Sequence, residues 1–301
     1  MSRAISELAG LGLVQEATAT LEAAGIETAR QDAEWLLGAV LGRPRFAAYL
    51  DPGHELSQAD AVRYRALVSR RTAREPLQHL IGFEDFHGVR LAVTPDVLIP
   101  RPETEGLVEW ALEVLRDRPA SIVADIGTGS GAIACALARG LPGLVVLAVE
   151  RSLPALTVAS LNIRTLGLTP WVRLMAGDLL EPLASLRGCL DLVIANPPYI
   201  PSAMLGSLPP EVVGFEPRDA LDGGPDGMTV IRRIIAAAPA LLRPQGWLMM
   251  EIGDDQAGPL ASLMAAEGFS GIRARRDLLG VERYIAGQWA EASISAPPRT
   301  C

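Results

Sequence analysis

From residue 121 onward, short apolar runs alternate with helix-like stretches, and that alternation restricts the fold more than any other feature of the chain. The runs cover residues 122–126, 145–149, 172–175, 190–195 and 247–252. Strands of this length separated by helices are satisfied by a mostly parallel sheet with helices packed on it, a doubly wound α/β domain. Two last apolar segments, 271–274 and 281–286, are placed as a terminal strand pair. The 301 residues are 49% apolar, which leaves room for one large domain and a small one.

The small domain precedes the large one, because residues 3–75 read as helices. Ile5, Leu8, Val14, Ala17 and Leu21 recur at helical spacing, and Gly25 is placed as a C-terminal stop. Thr28-Ala29-Arg30-Gln31 reads as a capping box opening a second helix through Trp35, Leu36, Val40 and Leu41. Ser57 reads as the cap of a third, which ends before Pro76. Residues 76–100 change character: Phe83, Phe86, Val89, Leu91 and Val93 around His87-Gly88 predict a hairpin linking the two domains. A further helix starts near Pro102, with Glu103 and Glu105 in a first turn that suits its dipole. The expected organisation is a helical domain over 1–75, a hairpin linker over 76–100, an α/β domain over 101–288 and a disordered tail over 289–301.

Charge and cysteine content exclude several classes. The net charge is −8, from 27 basic residues, all of them arginine, against 35 acidic ones. The densest basic stretch runs only from Arg63 to Arg74, with none of the basic stripes that mark avid nucleic-acid binders. No apolar run reaches the ~20 residues that a membrane span needs. The start of the chain has an amphipathic helical pattern, unlike a secretion signal, and the cysteine count is odd, so a cytoplasmic protein is expected. Cys135, Cys189 and Cys301 form no CxxC or Cys/His cluster, and His54, His79 and His87 stand isolated. No metal site is expected. Neither a nucleic acid nor a membrane is expected as a direct partner, and a monomer is expected.

Two segments carry the candidate chemistry. Asp125-Ile126-Gly127-Thr128-Gly129-Ser130-Gly131 lies between an apolar strand and the helix-like stretch 132–139. Glycines there let the backbone turn sharply and approach a ligand closely. The spacing is GxGxG with an acid ahead, not GxGxxG, and no Lys-Ser/Thr follows, so the loop suits a cofactor with an amino-acid end better than a pyrophosphate. Glu150 ends the next strand, where a carboxylate can accept hydrogen bonds from ribose hydroxyls. A purely structural turn and an NAD site are the alternative readings. The second segment, Asn196-Pro197-Pro198-Tyr199, follows the strand at 191–195 at its carboxyl end, where open α/β sheets bind ligands. Its prolines stiffen the turn and remove two donors. The Asn196 side-chain oxygen and the Pro197 carbonyl offer acceptors for an NH2 group, and Tyr199 offers a flat face. A rigid strand-end turn is the structural alternative.

Taken together, these residues closely resemble the HemK-like family, the glutamine-N5 methyltransferases of peptide-chain release factors. The resemblance covers about residues 5–288. It rests on Leu98-Ile99-Pro100-Arg101-Pro102-Glu103-Thr104-Glu105, the loop 125–131, Asn196 to Tyr199, the segment 216–224, Glu251 to Gly253 with Gln256, and Asp277, Gly280 and Arg283. It implies a class I, Rossmann-like methyltransferase domain using S-adenosylmethionine and releasing S-adenosylhomocysteine. Gly127 to Gly131 would wrap the methionine end, Glu150 would hold the ribose, and Asp178 and Leu179 would lie beside the adenine. Asn196, Pro197, Pro198 and Tyr199 would grip the glutamine of the release factor GGQ loop, and the helical domain would help to dock the protein substrate. Glu150 stands where the family usually has Asp, and Leu179 where some members carry Trp. Arg101 and Glu105 read either as part of the cofactor-site wall or as helix caps. An exocyclic amine of a nucleic-acid base is the alternative methyl acceptor, since it also presents an NH2 on a planar group, and a cofactor-binding protein without turnover is a third reading.

Overall fold

A computed structural model describes residues 9–51, 54–118 and 120–290. The expected helical stripe at Ile5 and Leu8, and the expected tail from residue 291, lie outside them. The chain divides into a helical unit, residues up to Phe83 together with Pro209–Phe215, and an α/β unit formed by the rest.

The helical unit contains α1 (Gly10–Ala23), α2 (Ala29–Leu41), α3 (Ala47–Leu50), α4 (Gln58–Thr72) and α5 (Leu77–Ile81). Leu13, Val14, Ala17 and Leu21 of α1 pack on Ala33, Leu36 and Leu37 of α2 and Tyr64 and Val68 of α4. Gly25 takes the left-handed conformation expected of a helix stop (φ 72°). Ser57 caps α4 by accepting the Asp60 amide at 3.1 Å. Thr28 departs from expectation: its side chain makes no capping bond, because its ψ of 19° is not the extended cap geometry and the chain enters α2 from a turn. The Ala29 amide is served by the Ile26 carbonyl instead. Arg71 is buried between Asp32 (2.7 Å) and Glu211 (3.1 Å), and Arg74 adds a second bond to Glu211. Within 76–100 the helix α5 precedes the expected hairpin.

That hairpin is β1 (Phe83–Phe86) and β2 (Val89–Ala92), turning at His87 and Gly88 with φ of 44° and 76°. Then come α6 (Pro102–Leu115), β3 (Ile122–Ile126), α7 (Ala132–Gly140), β4 (Val145–Glu150), α8 (Leu153–Thr165), β5 (Val172–Ala176) and β6 (Leu190–Ala195). After β6 the chain forms α9 (Pro210–Phe215), which belongs to the helical unit, and returns through α10 (Thr229–Ala237), β7 (Leu242–Glu251), α11 (Ala257–Ala266), β8 (Phe269–Arg276) and β9 (Glu282–Trp289).

Seven strands form one sheet in the order β5-β4-β3-β6-β7-β9-β8. The first five run parallel, and β9 is antiparallel to both of its neighbours. The sheet is covered on both faces, as alternation along single strands shows. Val123, Leu192, Ile194 and Met249 join the core with α6 and α7, whereas Ala124, Val193, Leu248 and Met250 join the core with α10 and α11. The strand β7 starts at Leu242, five residues before the apolar run at 247, and carries a register shift between the residues that pair with Leu190 and Leu192. At its end β9 runs through Trp289, one residue past the expected boundary, and that ring packs edge-on against Phe269 at 5.7 Å.

Candidate active site

A cavity of about 620 Å³ opens at the carboxyl ends of β3, β4 and β6, within the α/β unit. This is within the size range of small-molecule sites. Of the residues singled out in the sequence, Gly127, Gly129, Glu150, Asp178, Leu179, Asn196, Pro197 and Pro198 line it. Asp125, Thr128, Ser130, Gly131 and Tyr199 do not.

The glycine loop is set by what lies behind it. Gly127, Gly129 and Gly131 all have positive φ (72°, 56° and 84°), a conformation that side chains of L-residues resist. The Gly127 and Thr128 amides donate to the Val149 carbonyl, at 2.9 and 3.0 Å, which ties the loop to the end of β4. Asp125 is fully buried, and its Oδ2 accepts the Thr128 hydroxyl at 2.5 Å and the Ala134 amide at 3.2 Å. Thus Asp125 braces the loop from inside the protein instead of facing the cavity. Burial pushes its carboxyl up to about 7, against the pull of those two donors, and its Oδ1 has no partner among the described residues. Asn162 on α8 clamps the other side, donating to the carbonyls of Ser130 and Ala92 and accepting the Ala92 amide.

Glu150 connects the end of β4 to this loop. One oxygen accepts the Gly129 amide at 3.0 Å, and the other accepts the Ser152 amide at 2.9 Å. Each oxygen keeps a further lone-pair site for a hydroxyl. Past β5, Leu179 stands in the left-handed region (φ 49°) and lines the cavity with Val149, Val230 and Ile234, an apolar slot suited to a flat ring. Asp178 is held by Arg233 at 2.5 Å. Beside Gly127 and Gly129 an added Cβ would meet no atom closer than 4.0 Å. Glycine cradle, carboxylate and apolar slot together fit a nucleoside bearing an amino-acid arm.

The Asn-Pro-Pro-Tyr turn forms the wall next to the end of β6. The Asn196 Nδ2 donates to the Thr104 hydroxyl at 3.0 Å, and no hydrogen bond among the described residues engages its Oδ1. Thr104 donates in turn to Glu251 at 2.6 Å, and the other Glu251 oxygen accepts the Tyr199 hydroxyl at 3.1 Å. Gln256 locks the turn, donating to the carbonyls of Tyr199 (3.1 Å) and Gly227 (3.4 Å) and accepting the Gly253 amide. Position 227 requires glycine, since an added Cβ would overlap the Tyr199 carbonyl. Burial and Glu251 raise the Tyr199 hydroxyl above its usual range, so it stays protonated and donating.

Of the two readings of Arg101 and Glu105, a place in the cavity wall is not what the structure gives, because neither lines the cavity. One Arg101 nitrogen bonds both oxygens of the buried Glu216, at 2.7 and 2.6 Å, joining the segment before α6 to the segment after α9. Burial raises the Glu216 carboxyl while Arg101 opposes the shift. Glu105 accepts the His87 amide at 2.8 Å and so holds the hairpin turn. Sequence reasoning assigned no role to Thr104, Asn162, Glu216 or Glu251. The signal for Glu251 was present: it ends β7 as Glu150 ends β4, an acid at a carboxyl strand end.

Sheet order, glycine loop and strand-end acid are those of a class I methyltransferase domain. Two family models match, the PrmC N-terminal domain over residues 12–82 and the methyltransferase small domain over residues 109–204. Among solved structures, the hMettl16 catalytic domain superposes with a TM-score of 0.56 at 20% identity, covering 80% of this chain and 85% of that one, which shows the fold. The N-terminal domain of human METTL16 in complex with SAH gives 0.50 at 19% identity, over 78% and 84%. Closer relatives are the release factor glutamine methyltransferases of Geobacter sulfurreducens, 45% identical over 88% of this chain and 91% of the relative, and of Moorella thermoacetica, 48% identical over 84% and 88%. That of Gloeobacter violaceus is 42% identical over 94% and 98%. This chain belongs to the release factor glutamine methyltransferase family.

Proposed function

We propose that the chain transfers a methyl group from S-adenosylmethionine to the side-chain amide nitrogen of the glutamine in the GGQ motif of peptide-chain release factors. The observation that carries this reading is the uncommitted Oδ1 of Asn196 on the wall of the cavity that Gly127, Gly129 and Glu150 also line. When bound, the cofactor supplies an electrophilic methyl on its sulfonium sulfur.

An amide nitrogen is a poor nucleophile because its lone pair is delocalised into the carbonyl. The Asn196 Oδ1 and the Pro197 carbonyl accept its two hydrogens, hold the amide in place and favour the pyramidal geometry in which the lone pair is available. Catalysis is then positioning and electrostatics: as the nitrogen bonds the methyl the carbon–sulfur bond breaks to give S-adenosylhomocysteine, and the methylated nitrogen releases its surplus proton to solvent, with no histidine base required. Gly127 and Gly129 take the methionine end, Glu150 the ribose hydroxyls, and Leu179 with Ile234 the adenine; Leu179 replaces an aromatic contact by an aliphatic one. Asp125, Thr128, Ser130 and Gly131 shape the loop from behind, and Tyr199 fixes the turn through Glu251.

In this reading the helical domain over 1–75 docks the protein substrate, the hairpin region over 76–100 links it to the catalytic domain, and the substrate is the release factor alone. The reading takes a monomer as the working unit. No described helix is long and apolar enough to cross a membrane; a cytoplasmic location follows from where release factors work. Mass spectrometry of a purified release factor incubated with the enzyme and S-adenosylmethionine tests the reading. A gain of one methyl on the GGQ peptide supports it, and transfer to adenine in DNA with none to the factor would overturn it.

A further inference from the structure

We propose that Thr104 and Glu251 are positioning residues that select which end of the Asn196 amide faces the reacting nitrogen. The proposal rests on the reading that Asn196 grips the substrate amide. The two ends of an asparagine side chain are nearly the same size, yet only the oxygen can accept a hydrogen from the substrate NH2. Turned by half a rotation, Asn196 would oppose one donor to another. A site of this kind needs a device that fixes the rotation.

Three side chains supply it. The Thr104 hydroxyl lies 2.6 Å from a Glu251 oxygen and 3.0 Å from the Asn196 Nδ2. A hydroxyl has one proton to give, and an ionised carboxylate can only accept. The Thr104 proton therefore goes to Glu251, its oxygen is left to accept from Asn196, and the Asn196 Oδ1 is turned away from Thr104. The second Glu251 oxygen is held by the Tyr199 hydroxyl, so the carboxylate cannot rotate out of the chain. Thr104 and Glu251 are 3% and 1% exposed, so bulk water does not compete for either bond.

Other charged and titratable groups face Glu251: Glu103 from α6, Tyr199 from the turn, and Arg283 and Tyr284 from β9. Burial raises the Glu251 carboxyl above the ordinary range, against the pull of Thr104, Tyr199 and Arg283. A protonated Glu251 could donate to Thr104, which would free the Thr104 proton for Asn196 and reverse the amide. Turnover then falls on the acid side as Glu251 gains its proton.

The test compares Thr104→Val, Thr104→Ser and Glu251→Gln in the full chain, with Asn196→Ala as reference. Thr104→Val keeps the shape and removes the hydroxyl. It is expected to lower kcat by a factor on the order of 10 to 100 while KM and S-adenosylmethionine affinity stay within a few-fold. Thr104→Ser restores the hydroxyl and recovers most of the loss, which assigns the effect to that hydroxyl, while the split between a lowered kcat and an unchanged KM and cofactor affinity separates it from a merely structural tie. Glu251→Gln keeps an acceptor oxygen but cannot titrate, so the acid limb of the kcat profile disappears. Full turnover in Thr104→Val beside a crippled Asn196→Ala would refute the selector and leave the gripping role standing. An unimpaired Asn196→Ala would remove both. An acid limb in Glu251→Gln that matched the wild type would overturn the selector even if Thr104→Val failed to fold.

Discussion

The Glu150 carboxylate accepts the backbone amide of Gly129 at 3.0 Å, so the acid that ends β4 and the middle glycine of the loop after β3 form one wall of the cavity. A change at either residue reaches the same ligand. Gly129→Val adds a branched side chain at a φ of 56°, pointing into space that the cofactor would occupy. Calorimetry on this variant should show S-adenosylmethionine binding abolished, and wild type should bind S-adenosylmethionine and not NAD. Unchanged affinity in the variant would remove the cofactor from this loop.

Asn196→Ala should separate binding from chemistry. Turnover is expected to drop by a factor on the order of 10² or more, as loss of a preorganised polar contact does. Affinity for S-adenosylhomocysteine should change far less, because the glycine loop and Glu150 are untouched. Single-turnover kinetics with a release factor distinguish the two effects, and turnover within a few-fold of wild type would end the gripping role.

The buried Asp125 gives stability a particular dependence on pH. Its carboxyl keeps its proton up to about 7 in the folded chain, whereas an unfolded aspartate loses its proton near pH ~4. Between those values the folded state holds more protons, so this contribution to stability is greatest at low pH and is lost as pH rises through the window. Asp125→Asn should flatten that slope in the cofactor-free protein. Glu216 and Glu251 are shifted the same way and stay in both proteins, so the difference between the two melting-temperature profiles from pH 5 to 8 is the quantity to measure. Parallel profiles would show that Asp125 does not titrate there.

Removing residues 1–75 should weaken methylation of the whole release factor more than methylation of a short GGQ peptide. The catalytic turn recognises the side chain locally, while the helical domain adds contacts that only the whole factor supplies. The deletion also takes Arg71 and Arg74 from Glu211, so S-adenosylmethionine binding is checked first to confirm that the remainder is folded. Equal losses on both substrates would refute the docking role and leave the reaction in place.

Much of the α/β unit was legible because each strand is a self-contained local pattern, and the glycine loop, Glu150 and Asn196 all sit at strand ends that the pattern locates. The tie from Thr104 to Glu251 was not, since it spans 147 positions and depends on the first turn of α6 meeting the end of β7. Arg101 with Glu216, 115 positions apart, escaped for the same reason. Asp125 was legible as a site residue but not in its role, because whether an acid faces a ligand or braces the loop behind it is decided by burial. Thr28 shows a local failure: the residue types of a capping box were present, but the turn entering α2 fixed a ψ that the motif cannot use.

The last of the described strands, β9, lies inside the sheet between β7 and β8. During synthesis, β8 therefore leaves the ribosome before its one partner among the described strands exists, and β7 waits with one edge bare. A stop between β8 and β9 would leave β7 and β8 without the strand that joins them, an open sheet edge of the kind that recruits other chains.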